Sequence, residues 1–138
     1  MDELEKITDC DQFTLDKEVH RAKVLSVYDG DTITVCFFYN NKYQKFHVRM
    51  HGYDSSEIKP KKNIPNREEI KKSAIAAKNR LIELIGGRII YLYCGKFDKY
   101  GRLLGKIKLN ENDSLYINDI MVQEGYGYPY LGKTKIKN

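Results

Sequence analysis

Along the first half of the chain, apolar and polar residues alternate in short runs divided by turn formers. An apolar-rich run over residues 20–27 ends at Tyr28-Asp29-Gly30-Asp31, and Asp-Gly between two such runs is a strong hairpin signal. Residues 32–39 are β-branched and aromatic, which predicts a second strand. Asn40-Asn41-Lys42 supplies the next turn, and residues 43–51 predict a third strand. Within it Phe46, Val48 and Met50 share one face, while Lys45, His47 and Arg49 share the other, because side chains alternate sides along a strand.

The alternation then stops. Residues 53–65 hold two prolines and five charged residues without a period, so they read as a loop. After it the period becomes helical: Ile70, Ala74, Ala77, Leu81 and Leu84 fall on one face. Asn66 and Glu69 have the spacing of a capping box, and Gly86-Gly87 ends the helix as a C-cap would. Residues 88–94 and 103–109 predict two further strands, joined by the charged loop 95–102. Residues 115–123 predict a shorter helix stopped near Gly125. The tail 126–138, rich in Tyr, Gly and Lys, reads as loop. Residues 1–18 read as an N-terminal arm of uncertain order before a domain spanning 19–138. Three strands, a helix, two strands and a helix give an α+β class. That order is the layout of a five-stranded OB-fold Greek-key barrel with two helices.

Composition narrows the class without naming a function. A chain of 138 residues fits one domain that can bury a core unaided. Its net charge of +5 favours polyanionic partners, although a merely solvated lysine surface explains that charge equally well. No apolar stretch approaches membrane-spanning length, and the acidic N-terminus lacks an apolar signal segment. Cys10, Cys36 and Cys94 are widely separated and form no C-x-x-C pair. Cys36 and Cys94 sit in apolar runs and read as buried free thiols, which suits a reducing compartment.

The informative charged residues lie at predicted strand ends. Asp31 follows the first hairpin turn, Asp54 follows the third strand with Glu57 three residues on, and Arg102 precedes the fifth strand. Closing a barrel can bring such ends together. Two carboxylates and a loop carbonyl make an oxygen-rich set suited to a hard divalent cation. Two arginines can clamp a phosphate and offset transition-state charge, and a nearby glutamate can activate water. Together these are the parts of metal-assisted phosphodiester hydrolysis. Singly, each has a plainer reading: turn-forming aspartates, a snorkelling strand arginine, solvated loop carboxylates, a charged turn closed by Gly101. The ordered combination is what carries weight.

That combination resembles a known family. Asp29-Gly30-Asp31-Thr32, then Arg49 with Asp54-Ser55-Ser56-Glu57, then Asp98-Lys99-Tyr100-Gly101-Arg102 resemble the staphylococcal nuclease (thermonuclease-like) family. The likeness runs from about Lys23 to Tyr130, and Asn118 falls where that family's second helix carries an Asn. The resemblance implies a calcium-dependent, sugar-nonspecific endonuclease that cuts DNA and RNA to 3′-phosphate products. It implies Asp31, Asp54 and the Ser55 carbonyl as Ca²⁺ ligands, Glu57 as general base, and Arg49 and Arg102 as phosphate-binding catalytic residues. Lys99 and Tyr100 match positions that contact a terminal phosphate, and Tyr128 or Tyr130 matches the lining of the base-binding groove.

Three departures accompany the likeness. Ser56 stands where the family usually has Pro, the chain stops soon after Tyr130 where relatives continue into a third helix, and no signal peptide is present. The basic segment Lys59-Pro60-Lys61-Lys62 keeps the family's loop character, and reads equally as a solvated lysine loop. The expected partners are DNA and RNA, single-stranded or locally unpaired, with no membrane and a monomeric state. The expected location is cytoplasmic or intracellular, or secreted if a leader has been removed. Residue types alone leave Mg²⁺ and Mn²⁺ open beside Ca²⁺. The alternative function is a catalytically silent module of the same fold that binds RNA, single-stranded DNA or protein.

Overall fold

The computed structural model describes residues 2–55 and 65–129. The elements are α1 (Glu3–Lys6), β1 (Val19–Asp29), β2 (Thr32–Tyr39), β3 (Lys42–Met50), β4 (Tyr53–Asp54), α2 (Arg67–Ile85), β5 (Ile89–Phe97), β6 (Leu103–Lys108), α3 (Ile117–Gln123) and β7 (Tyr128–Pro129). Five strands close into a barrel in the order β1-β2-β3-β6-β5, while β4 and β7 form a separate two-stranded sheet. This is the expected α+β barrel.

Alternation built the walls. Ile33, Val35 and Phe37 of β2 point inward with Val48 and Met50 of β3, Ile90 and Leu92 of β5, and Leu103 and Ile107 of β6. All nine are at most 2% exposed, so the outward residues between them, Arg49 included, are displayed by a fixed wall, and Arg102 immediately precedes it. The β2–β3 turn takes two residues, Asn40 and Asn41, both at positive φ (54° and 66°). Asparagine tolerates that conformation, which matches the strand twist. The barrel closes where β3 and β6 run parallel, with Val48 beside Leu103, Arg49 beside Leu104 and Met50 beside Gly105.

Helix α2 covers the barrel through Ala77, Leu81 and Ile85. Its start differs from the capping box expected at Asn66 and Glu69. Asn66 adopts φ 62° and ψ 28°, and its side chain makes no capping bond; the left-handed backbone turns its oxygen away from the first helical N–H groups. Helix α3 is tied down by Asn118. Its Oδ1 accepts from the Ile107 N–H at 3.0 Å, and its Nδ2 donates to the carbonyls of His51 (2.9 Å) and Gly105 (3.0 Å).

Two segments that read as irregular carry structure. Leu15 of the N-terminal arm is fully buried in the barrel core. The arm is docked there by Lys17 N–H donating to the Cys94 carbonyl and Cys94 N–H donating to the Glu18 carbonyl, each at 2.8 Å. Within the expected loop and tail, β4 and β7 pair Tyr53 with Pro129 and Asp54 with Tyr128. All three cysteines are free. Cys94 is buried as expected, and burial with the charge of Glu18 pushes its thiol up to about 12. Cys36 faces outward and is half-exposed, because Val35 and Phe37 take the inward positions beside it.

Candidate functional site

The site begins at the β1–β2 turn. The Asp31 N–H donates to Asp29 Oδ1 at 3.0 Å, and the Met50 N–H donates to the Asp31 carbonyl at 2.7 Å, which fixes the turn against the end of β3. Gly30 sits where three pieces converge. A Cβ there would lie 2.7 Å from Ala77 Cβ and 2.8 Å from Ser55 Cβ, so only glycine lets α2 and Ser55 close on the turn. The close approach brings Ser55 onto Asp31: its N–H donates to Oδ2 at 2.8 Å and its hydroxyl at 3.1 Å.

Arg49 completes the cluster from β3. Its Nη1 donates to the carbonyls of Met50 (3.0 Å) and Tyr53 (2.8 Å) and lies 3.4 Å from Asp31 Oδ2, while Nη2 pairs with Asp54 Oδ1. One guanidinium thus faces two carboxylates, and all three side chains are nearly buried, with 10–12% of their surface exposed. The Nε–H of Arg49 has no hydrogen-bond partner among the described residues. Beneath them the Tyr53 hydroxyl, fully buried, donates to the Gly30 carbonyl at 2.7 Å. Burial, reinforced by the charge of Asp31, holds that phenol well above its usual range.

The electrostatics divide the two turn aspartates. Burial works to raise the Asp31 carboxyl, but Arg49, Asp29 and the Ser55 amide outweigh it, and its pKa falls. Asp29 has no such arginine: burial, then the hydrogen bond and charge of Asp31, push it up to about 6. Asp31 is therefore the more acidic member of the pair and Asp29 the less acidic one.

The donor set fits a hard cation. Among the described residues Asp54 Oδ2 is buried without a hydrogen-bond partner, which is costly for a carboxylate oxygen unless a cation or water meets it. Two carboxylates against one guanidinium leave negative charge that a divalent ion would offset. Asp31, Asp54 and the Ser55 carbonyl supply only oxygen, the donor such ions prefer. Among the described residues no cluster of three or more His, Cys, Asp or Glu side chains forms, so water would complete a coordination shell.

Arg102 is presented on the same outer barrel face. The register sets Leu103 beside Val48 and Leu104 beside Arg49, placing Arg102 two residues before the partner of Arg49, about 7 Å along the strand. Asp98 holds it: its Oδ1 accepts from the backbone N–H groups of Tyr100 and Arg102, each at 2.9 Å, and its Oδ2 accepts from Arg102 Nε at 2.8 Å. That leaves both terminal amino groups of Arg102 without a hydrogen-bond partner among the described residues. Tyr100, 72% exposed, lies between Lys99 Nζ (5.2 Å from its ring centre) and the Arg102 guanidinium (5.4 Å).

The match to known proteins now has a geometry to rest on. A family model described as staphylococcal nuclease homologue matches residues 47–137, well over half of the chain. The chain belongs to that family. As a staphylococcal nuclease homologue, it carries Arg49, Asp54, Ser55 and Arg102 within the matched segment, and Asp31 before it. An uncharacterized protein of Bacillus anthracis is 36% identical over 110 residues, covering 80% of this chain and 47% of the relative. Two proteins of Oryza sativa subsp. japonica, each named a probable staphylococcal-like nuclease, are 30% and 29% identical over 108 residues. Each alignment covers 78% of this chain, and 22% and 23% of the respective relative. The staphylococcal nuclease homologue thus spans between about a fifth and a half of the length of these relatives.

Of the sequence-predicted residues, Asp31, Asp54, Ser55 and Arg49 meet directly. Arg102, Lys99 and Tyr100 sit on the adjoining 98–102 loop, and the β4–β7 register sets Tyr128 opposite Asp54. Glu57 and Tyr130 lie outside the described residues, as does the segment Lys59–Lys62. Three contributors went unread in the sequence of the staphylococcal nuclease homologue. They are Gly30 as a point of close approach, Tyr53 as the buried support of the turn, and Asp98 as the anchor of Arg102. Asp-x-Tyr-Gly-Arg carries a signal for the last, since an Asp two residues before a turn position commonly accepts from its backbone.

Among the described residues no helix is long and apolar enough to cross a membrane.

Proposed function

We propose that this chain is a metal-dependent nuclease, using calcium, that hydrolyses phosphodiester bonds of DNA and RNA to 3′-phosphate products. The observation that carries this reading is the convergence of Asp31 and Asp54 on the Arg49 guanidinium, with Ser55 bonded to Asp31. Asp31, Asp54 and the Ser55 carbonyl would hold the calcium ion. Once bound, that ion would supply charge neutralisation at the phosphate and a polarised water.

The chain's own residues supply the rest. Arg49 offers its Nε–H, and Arg102 its terminal amino groups, to the nonbridging oxygens of the scissile phosphate. Both gain strength as negative charge builds on those oxygens in the five-coordinate transition state. Glu57, two residues beyond Ser55 in the chain, takes a proton from the attacking water. The water oxygen bonds to phosphorus, the bond to O5′ breaks, and the leaving 5′-oxygen takes a proton from a solvent water while Glu57 returns its proton to solvent. Lys99 and Tyr100 hold a terminal phosphate, and Tyr128 or Tyr130 offers a ring face to a base, which tolerates any sequence.

The test is cleavage of single-stranded DNA and RNA in calcium and in chelator, with Arg49→Ala alongside. Calcium-dependent cutting that falls by about 10²–10³ in the variant is expected, the usual loss on removing one transition-state donor. Absence of cutting, with binding that survives chelator, would establish the silent binding module instead.

A further inference from the structure

A second face of the barrel has a chemistry that the cleavage site does not use. On β5 the outward positions include Tyr91 and Tyr93, and on β6 Lys106 and Lys108. The ladder pairs Tyr91 with Lys108 and Tyr93 with Lys106, so rings and ammonium groups alternate across two strands. Tyr116, just before α3, covers the same face: Lys108 Nζ lies 4.8 Å and Lys106 Nζ 5.1 Å from its ring centre, and Tyr93 meets it edge-on at 5.4 Å. Neither lysine forms an ion pair among the described residues.

The strip leads to the site. A cleft of about 400 Å³ lies at its near end, lined by His51, Tyr93, Lys96, Leu104 and Lys106 with a single carboxylate, Asp16. Leu104 is the cross-strand partner of Arg49, so the cleft opens one residue pair from the site arginine. It contains neither Asp31 nor Asp54 and is separate from the carboxylate cluster. Ammonium groups at two-residue spacing, without a carboxylate partner among the described residues and resting against tyrosine rings, suit a single strand: phosphates draw the cations and bases take their place on the π-surfaces. An acidic peptide would use the lysines alone and leave the tyrosines without a role.

We infer that the β5–β6 face is a second nucleic-acid contact, which carries a single strand away from Arg49 and Arg102 with phosphates on Lys106 and Lys108 and bases against Tyr93 and Tyr116. The continuity of the strand with the scissile bond rests on the nuclease reading; the binding itself stands on the strip's own chemistry.

The experiment uses an oligothymidylate of about 16 nucleotides, the upper end of what one such barrel covers, and a short thymidine phosphodiester. Binding of the longer strand is measured in chelator against salt concentration for the parent, Lys106→Gln/Lys108→Gln and Tyr116→Leu, with thermal unfolding as the check that each is folded. The double variant is expected to lower the slope of log Kd on log salt by about 1.4, from two lost phosphate contacts. Tyr116→Leu is expected to weaken binding roughly tenfold without changing that slope. In calcium, kcat/KM for the long strand relative to the short ester is expected to fall in the double variant. A parent that binds this way but never cuts would remove the nuclease reading and leave the strip standing. Equal affinity and slope in parent and double variant would overturn the strip while leaving cleavage untouched. Competition by polyglutamate as strong as by the oligonucleotide would overturn it in favour of an acidic protein segment.

Discussion

Replacing Gly30 by alanine adds one methyl group at the point where the β1–β2 turn, α2 and Ser55 converge. The new carbon would stand 2.7 Å from Ala77 Cβ, 2.8 Å from Ser55 Cβ and 3.0 Å from Ser55 Oγ. Unstrained carbons rest about 3.5–4.0 Å apart, so one neighbour must retreat by roughly 1 Å. The helix will not be the one to move, because Leu81 and Ile85 on its inner face are fully buried in the core. The turn must then back away from Ala77 while Ser55, which follows a two-residue strand, yields on the other side, straining the 2.8 Å bond from its N–H to Asp31. Overpacking of this size costs about 1–3 kcal/mol. For a domain of this length that lowers Tm by roughly 3–12 °C. A 1 Å misplacement at a reacting centre costs about 10²-fold in rate, so activity should fall further than stability. Thermal unfolding, calcium-dependent cleavage and the NMR shift of the Ser55 amide measure the three effects separately. A variant with Tm within about one degree of the parent, full activity and an unmoved Ser55 amide would refute the claim that Gly30 is there for space.

Two further substitutions test the anchors. Asp98→Asn removes the charge that accepts from Arg102 Nε, and should lower kcat while costing only about 1 kcal/mol of stability. The Asp98 carboxyl is drawn below its usual value: burial opposes this, but the amides of Arg102 and Tyr100 and the Arg102 side chain prevail. Its contribution is therefore full above the unfolded-state value and is lost as pH falls through the folded one. Acid unfolding curves of parent and Asp98→Asn should converge at the acid end, and a gap that widens there would contradict the assignment. Asn118→Leu orphans the Ile107 N–H and the His51 carbonyl, while the Gly105 carbonyl keeps its 2.8 Å bond from the His51 N–H. Denaturant unfolding should show a loss of about 2–4 kcal/mol; a loss below about 1 kcal/mol would mean that α3 is held by its apolar face alone.

The barrel was legible because its strands alternate cleanly and its turns use residues suited to them: Asp29-Gly30 at one hairpin, Asn40-Asn41 at the next. What escaped has no local signature. Leu15 sits between Thr14 and Asp16 with Phe13 the nearest apolar residue, and nothing in the letters says that Leu15 plugs the core while Phe13 stays exposed. The β4–β7 pairing joins two dipeptides more than 70 positions apart, too short for any period to register. Asn66 has the letters of a helix cap, but its own backbone lies in the left-handed region and its side chain makes no capping bond. For the site, residue types and motif order pointed to Asp31, Arg49, Asp54 and Ser55. The pairing of one guanidinium with both carboxylates depends on side-chain reach across a barrel wall, which spacing does not encode.

The parallel seam between β3 and β6 is three residue pairs long, against eight between β2 and β3, and it is the thinnest join in the barrel. Arg49 stands on one side of it and Arg102 just ahead of the other. A phosphate group gripping both arginines would therefore act as a rivet across the join. Its binding energy would appear directly as resistance to the barrel springing open, about 2.7 kcal/mol at a ligand concentration one hundred times its Kd. On the proposed function the substrate would help to hold its own binding site together, and the chain without nucleic acid would be the form more exposed to unfolding and proteolysis.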